Sequence, residues 1–268
     1  MAAYPKRKLK PDRLRSSTKT EVIYGIHPVH EALRAGKRKF HALFVDPKAT
    51  SKRLADLVDA VQNRHIPVER VPAIELNRLA GTLHHQGLAA RVGAYGLAEL
   101  GDILAEKEGR FADPFLILLD NVLDPQNFGA VVRTGVCAGI DGIIIPKDRS
   151  VGPTPTVSKA SAGALEHGRI VRVTNLVRTI RKLKDRGLWI YGLEPSAAAS
   201  IYSVNLTEPV ALIIGGEEKG MRPLVRKNCD HLVSIPHVGP MDSLNAAVAA
   251  ALAIYEVLRQ RLSARRPR

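Results

Sequence analysis

Three stretches gather residue types that suit chemistry on a small bound ligand: "DNVLDPQNFGAVVRTGVCAG" (120–139), "GEEKGM" (216–221) and "SIPHVGPMDSLNAAVAAALAIYE" (234–256). They supply two amides (Asn127, Asn245), a guanidinium (Arg133), a carboxylate (Glu217) and a hydroxyl (Ser243). None contains a nucleophile–His–Asp set. His27 and His30, and the pair His84–His85, read as surface or turn residues without metal-ligand spacing. The glycines of the second stretch, Gly215, Gly216 and Gly220, leave backbone N–H groups open. Neither GxGxxG nor GxxxxGK[ST] is present, and the adjacent acids Glu217 and Glu218 would repel phosphate. A ligand carrying positive charge and amine donors suits that loop better.

Each stretch also has a purely structural reading: the first a capped helix with a surface arginine, the second a glycine-rich turn with a solvated Glu-Glu-Lys. Asp124 is a good N-cap and Pro125 suits the first helical position, so Asn127 in that first turn can cap or face a ligand. Gly129 and Gly135 cost roughly 1 kcal/mol each inside a helix, which predicts close approach by another backbone or a ligand. In the third stretch Ser243 or Asp242 can cap the helix, with Asn245 in its first turn. Capping explains one of these polar residues, not three. Leu244, Val248, Leu252 and Tyr255 fall on one face of that helix.

The elements that must position these loops follow from periodicity. From Pro114 onward, apolar runs "FLILL", "GIIIP", "IVRV", "LWIYGL", "VALIIGG" and "LVSIP" alternate with helical segments. That pattern indicates a parallel sheet covered on both faces, with ligands outside the carboxyl ends of the strands. The three stretches follow such ends. Residues 21–98 predict a smaller α/β unit. "VIYGIHPVHEALRAGKRK" reads as a helix ended by Gly36, "FHALFVD" as a strand, and "SKRLADLVDAVQNRH" as a helix with Leu54, Leu57, Val58 and Val61 on one face. "IPVERV" is a strand, "AIELNRLAG" a helix and "GLAARVGAY" a strand. Residues 99–113 read as a linker.

Charge and composition narrow the partner. The chain has 268 residues and a formal charge of +14. Residues 1–20 hold seven Lys/Arg against one Asp, and residues 259–268 hold five Arg without an acid, leaving +3 for the rest. Basic tails at 1–20 and 263–268 suit a phosphate backbone. A transit peptide is the competing reading of the N-terminus, but Pro5 and Pro11 interrupt any amphipathic helix there. The longest apolar run, Ala246–Tyr255, is too short to cross a bilayer. Two distant cysteines, Cys137 and Cys229, form no CxxC, which fits a reducing, cytoplasmic setting without disulfides.

Together, "LDNVLDPQNFGAVVRT", "LIIGGEEKGM" and "SIPHVGPMDSLNAAVA" resemble, in order and spacing, the three motifs of the SpoU (TrmH-like) branch of the SPOUT RNA methyltransferases. "PKDRS" and "VRVTNLVRTI" are similar to its ribosomal-RNA (RlmB) subgroup. "YGIHPVHEAL" and "HHQGLAA" resemble the ribosomal-protein-like substrate-binding domain of that subgroup. The resemblance implies a homodimeric ribose 2′-O-methyltransferase with a trefoil-knotted domain at 114–262. S-adenosylmethionine would be the cofactor, without a metal, and a guanosine of 23S rRNA the favoured target. It implies Gly215, Gly216, Gly220, Met221, Ile235 and Leu244 as cofactor-binding residues. Arg133, Asn127, Glu217, Ser243 and Asn245 would line the reaction site. Glu218 and Asp242 depart from the residues usual at their positions. Transfer RNA as substrate, a non-catalytic RNA-binding factor and a nucleotide-dependent dehydrogenase are the competing readings; the missing GxGxxG argues against the last.

Overall fold

The computed structural model describes residues 19–104 and 113–264. The basic N-terminal tail up to residue 18, the linker at 105–112 and residues 265–268 lie outside the described residues. The N-terminal unit runs β1 (Thr20–Tyr24), α1 (Ile26–Ala35), β2 (Phe40–Val45), α2 (Lys52–Gln62), β3 (Val68–Arg70), α3 (Ala73–Ala80) and β4 (Leu88–Gly93). Its sheet has the order β1-β4-β2-β3. β4 pairs antiparallel to both neighbours, and β2 pairs parallel to β3. Leu54, Leu57 and Val61 of α2 are buried against this sheet, as their spacing predicts.

Two elements differ from the sequence reading. Val22–Tyr24, read as the start of a helix, belong to β1. Val22, Ile23 and Tyr24 favour a strand, and Gly25 at φ 91 forces the break before α1. α4 (Leu100–Ile103) folds inside the stretch read as linker. Glu99 and Asp102 cap it reciprocally, and Ile103 is buried in the core of the second unit.

The second unit runs β5 (Phe115–Asp120), α5 (Pro125–Ala138), β6 (Gly142–Pro146), α6 (Pro155–Ala160), β7 (Ile170–Val173), α7 (Leu176–Lys184), β8 (Trp189–Leu193), β9 (Ala199–Ser200), β10 (Val210–Gly215), α8 (Pro223–Lys227), β11 (His231–Ser234) and α9 (Ala246–Ala264). Its strands pair in parallel in the order β7-β6-β5-β10-β8-β11-β9. All six apolar runs are strands, and the two-residue β9 is additional. Alternation along β5 sends Phe115, Ile117 and Leu119 to one face, against α5 and α9. Leu116 and Leu118 go to the other, against α7 and α8. Both faces are buried, which is why the strand is apolar throughout. From β5 the chain builds outward to β7, then crosses and returns, so strand order reverses between β5 and β10. A crevice is expected outside the carboxyl ends at that point.

The two units meet across a polar seam. Arg38 Nη1 donates to Glu21 Oε2 at 3.0 Å, and Arg38 Nε lies 2.8 Å from Glu166 Oε2. Ser158 Oγ donates to the other Glu166 oxygen at 3.1 Å. The side chains of Arg38 and Glu166 are 2% and 1% exposed. Glu31 lies 2.7 Å from His167 Nε2, and Lys159 donates to Gln86 at 2.8 Å.

Two C-terminal arginines read as part of a basic arm are structural. Arg259 pairs with Glu256, and buried Arg261 donates to the carbonyls of Asp113, Pro114 and Glu208. His85, read as a surface or turn residue, is a buried turn residue. Gly87 N–H donates to its Nδ1 and Nε2 faces Asn77 Oδ1, an arrangement that fits the neutral ring. Burial lowers its pKa.

Candidate active site

The β5–α5 loop is set by local chemistry. Asp124 accepts from the N–H groups of Gln126 and Asn127, and Pro125 needs no donor at the first helical position. This fixes Asn127 at the start of α5. The cost of Gly129 is offset by packing: a Cβ there would sit 2.9 Å from the Ala160 carbonyl carbon of α6. Gly135 is closed by the Ile140 side chain. No ligand is needed to explain either glycine.

The loop after β10 is anchored from below. Asp120, fully buried at the end of β5, accepts from the backbone N–H and Nε of Arg222, both at 2.7 Å. Gly216 N–H donates to Asp120 O at 2.8 Å, and Asn121 Nδ2 to Gly220 O at 3.2 Å. A Cβ on Gly215 would sit 2.5 Å from Met221 N, and one on Gly216 would sit 2.8 Å from the Asn121 carbonyl carbon. Both positions require glycine because backbones meet there.

The third loop enters α9 through Asn245, whose Oδ1 accepts from Ala247 N at 2.9 Å and Val248 N at 3.2 Å. Asn245 is therefore the cap, not Ser243 or Asp242, and it precedes the first turn. Its Nδ2 donates to Asn127 Oδ1 at 3.0 Å and to Glu217 Oε1. Asn127 Nδ2 donates to the same Glu217 oxygen at 2.9 Å, and Ala246 N–H approaches it at 3.4 Å. One exposed carboxylate oxygen thus ties all three loops together.

Two cavities flank this knot of hydrogen bonds. The first, about 500 Å³, is lined by Gly215, Gly216, Gly220, Met221, Ile235 and Leu244, every residue expected to hold a cofactor. Glu217, Ser243 and Asn245 also border it. So do Leu193, Glu194 and Pro195, which the motifs do not contain. The signal for them was present, since Leu193 ends the apolar strand β8 and Glu194 and Pro195 follow its carboxyl end. The second cavity, about 600 Å³, shares Gly216, Glu217, Lys219 and Ala246 with the first and adds Asn127 and Arg149. Arg133 differs from the other expected site residues. It is exposed on α5, lines neither cavity, and has no hydrogen-bond partner among the described residues.

The first cavity has the character of a small-molecule site: apolar walls (Ile214, Val233, Ala249) with a few convergent polar groups. Glu194 is paired with Arg226 at 3.1 Å, which leaves Glu217 as the carboxylate that suits a cationic ligand, with Lys219 also on the lining. Among the described residues, no group of His, Cys, Asp and Glu is arranged to hold a metal ion, and no helix is long and apolar enough to cross a membrane.

Comparison with known proteins agrees with this geometry. Residues 114–255 match the SpoU rRNA Methylase family, and residues 22–97 match the RNA 2′-O ribose methyltransferase substrate binding domain. The chain is 40% identical over 245 residues to a putative TrmH family tRNA/rRNA methyltransferase, YacO, of Bacillus subtilis, covering 91% of this chain and 98% of that one. It is 38% identical over 243 residues to the 23S rRNA (guanosine-2′-O-)-methyltransferase RlmB of Xylella fastidiosa, covering 91% and 98%. Among solved structures, the SpoU methyltransferase AviRb of Streptomyces viridochromogenes in complex with AdoMet superposes with a TM-score of 0.75 at 26% identity, covering 90% of each chain. Glycine-closed loops, a shared carboxylate and a substrate-binding head thus coincide with matches along nearly the whole described chain, which belongs to the SpoU family of RNA methylases.

Proposed function

We propose that the chain transfers a methyl group from S-adenosylmethionine to a ribose 2′-hydroxyl of structured RNA, with a guanosine of 23S rRNA favoured over transfer RNA. The observation that carries this is the junction of the two cavities at Glu217, Asn127 and Asn245. When bound, S-adenosylmethionine supplies a methyl group already activated on a sulfonium, so the remaining work is alignment and charge stabilisation.

The residues of the first cavity fit that cofactor. Gly215, Gly216 and Gly220 keep the loop close against the ligand, with Met221, Ile235 and Leu244 as apolar wall and Glu217 on the side of its positive charge. Asn127, Asn245 and Ser243 orient the ribose where the cavities join. Arg133 grips the neighbouring phosphate and stabilises the developing alkoxide. It is not a base, since a guanidinium stays protonated.

Arg133 reaches a reaction site through a second copy of the chain. Leu244, Val248, Leu252 and Tyr255, the face expected on α9, are 39–50% exposed. An apolar stripe of that kind on a helix beside α5 supports a homodimer. The trefoil knot belongs to the same reading. It is supported by β10 lying between β5 and β8 while the later α9 returns to pack on α5. A cytoplasmic setting is supported by an RNA substrate and by Cys137 and Cys229 being free.

Arg133→Lys tests the role. A point charge lacks the planar fork, so methylation of ribosomal RNA should fall at least about tenfold, the loss expected when one transition-state hydrogen bond is misdirected. Transfer near the wild-type rate would exclude this role for Arg133.

A further inference from the structure

The second cavity is more than an entrance to the first. Half of its six charged side chains are committed. Asp124 is occupied by two backbone N–H groups, Glu217 by Asn127 and Asn245, and Arg222 by Asp120. Glu218, Arg149 and Lys219 remain, exposed and without hydrogen-bond or ion-pair partners among the described residues. Arg149 is held at φ 60, a conformation that a non-glycine residue adopts at a cost. Its loop is pinned to the β5–α5 loop by Val151 N–H donating to Val122 O at 3.1 Å. Leu123, 63% exposed, and Pro223 give the cavity an apolar wall.

We infer that this cavity is the subsite for the nucleotide being methylated, with Glu218 reading a guanine base and Arg149 and Lys219 holding its phosphate. The inference rests on the methyltransferase reading above. A base taken out of its stack needs an apolar surface and partners for its Watson–Crick edge. Leu123 and Pro223 provide the first. For the second, chemistry selects guanine. Only guanine presents two adjacent donors, N1–H and the N2 amino group, to the two oxygens of one carboxylate. Adenine and cytosine set a single amino group beside an acceptor, and uracil flanks its one N–H with two carbonyls that repel a carboxylate. A guanidinium beside an ammonium then suits the phosphodiester.

The test uses the full chain, unmodified 23S rRNA transcribed in vitro and tritiated S-adenosylmethionine, with the product digested to nucleosides and identified by mass. Wild type should yield 2′-O-methylguanosine. Glu218→Gln, which replaces one acceptor with a donor facing the base, should lower kcat/KM roughly 10- to 100-fold, the discrimination of one bidentate pair. The share of other 2′-O-methylnucleosides should rise, while calorimetry shows an unchanged Kd for S-adenosylmethionine. Arg149→Ala should raise KM for RNA by roughly tenfold, about the loss of one charge-assisted contact, with little change in kcat. A Glu218→Gln enzyme as fast and as guanosine-selective as wild type would overturn the inference while leaving the methyltransferase reading intact. So would a wild-type product other than methylguanosine. Absence of transfer by the wild type to this transcript, to ribosomal subunits and to bulk transfer RNA would instead remove the methyltransferase reading itself.

Discussion

In the seam between the two units, Glu166 is sealed from water. Burial holds its carboxyl pKa above the ordinary carboxylate value, and Arg38 and the Ser158 hydroxyl offset only part of that rise. At the cleft, Glu217 gathers donors from three loops yet stays exposed. The first arrangement fixes two domains, and every group in it is costly to leave unpaired. The second fixes loops while leaving the assembly open to a ligand. The difference teaches that connectivity and burial are separate variables. A carboxylate can be as highly connected in a working cleft as in a core, and depth decides whether breaking it unfolds the protein or disables it.

Three substitutions break or sharpen that contrast. The largest effect is expected from Glu166→Ala, which leaves the Arg38 guanidinium in a dry seam with Glu21 as its remaining carboxylate partner among the described residues. The loss should be about 3 kcal/mol, measured by urea unfolding. Titration with S-adenosylmethionine at low denaturant should show an unchanged Kd, because the cleft lies elsewhere. An intermediate effect is expected from Asn245→Ala. Loss of the α9 cap costs about 1 kcal/mol. Methyl transfer should nevertheless fall about 100-fold, because ribose positioning is lost with the amide. If transfer and stability fell in proportion, the cleft network would be structural only.

The smallest effect concerns Glu31 at the seam's edge. Burial opposes its ionisation, but hydrogen bonds and charge from His167 and His30 outweigh burial and hold its pKa below the ordinary carboxylate value. A lowered folded pKa means the stabilisation is present above the unfolded pKa and is lost as pH falls through the folded value. Glu31→Gln should therefore flatten the loss of stability on acidification below about pH 4.5. For so exposed a pair, the difference should stay under about 1 kcal/mol.

Much of the second unit was legible because unbroken apolar strands and glycine-bearing polar loops are local signals. Asp124, Pro125 and the six strands needed no tertiary information. The errors fall where competing local signals sit side by side. Asp242, Ser243 and Asn245 are all capping residues, and only the position of the first α9 amides decides for Asn245. Val22–Tyr24 was absorbed into the following helix because its strand partner lies near residue 90. Arg259 and Arg261 looked like free basic charge, since composition says nothing of the carboxylate and carbonyls that receive them. Arg38 and Glu166 carry no spacing relation, so the seam is a property of the fold alone. Arg133 was singled out by motif, and in the fold it is exposed on α5 and lines neither cavity.

A head seated on its neighbour through Arg38, Glu166 and Lys159 works as a caliper. The span between the substrate-binding domain and the mouth of the second cavity is set by protein packing. On the proposed function, an RNA whose handle and target sugar stand a different distance apart would be refused by geometry before any base is read.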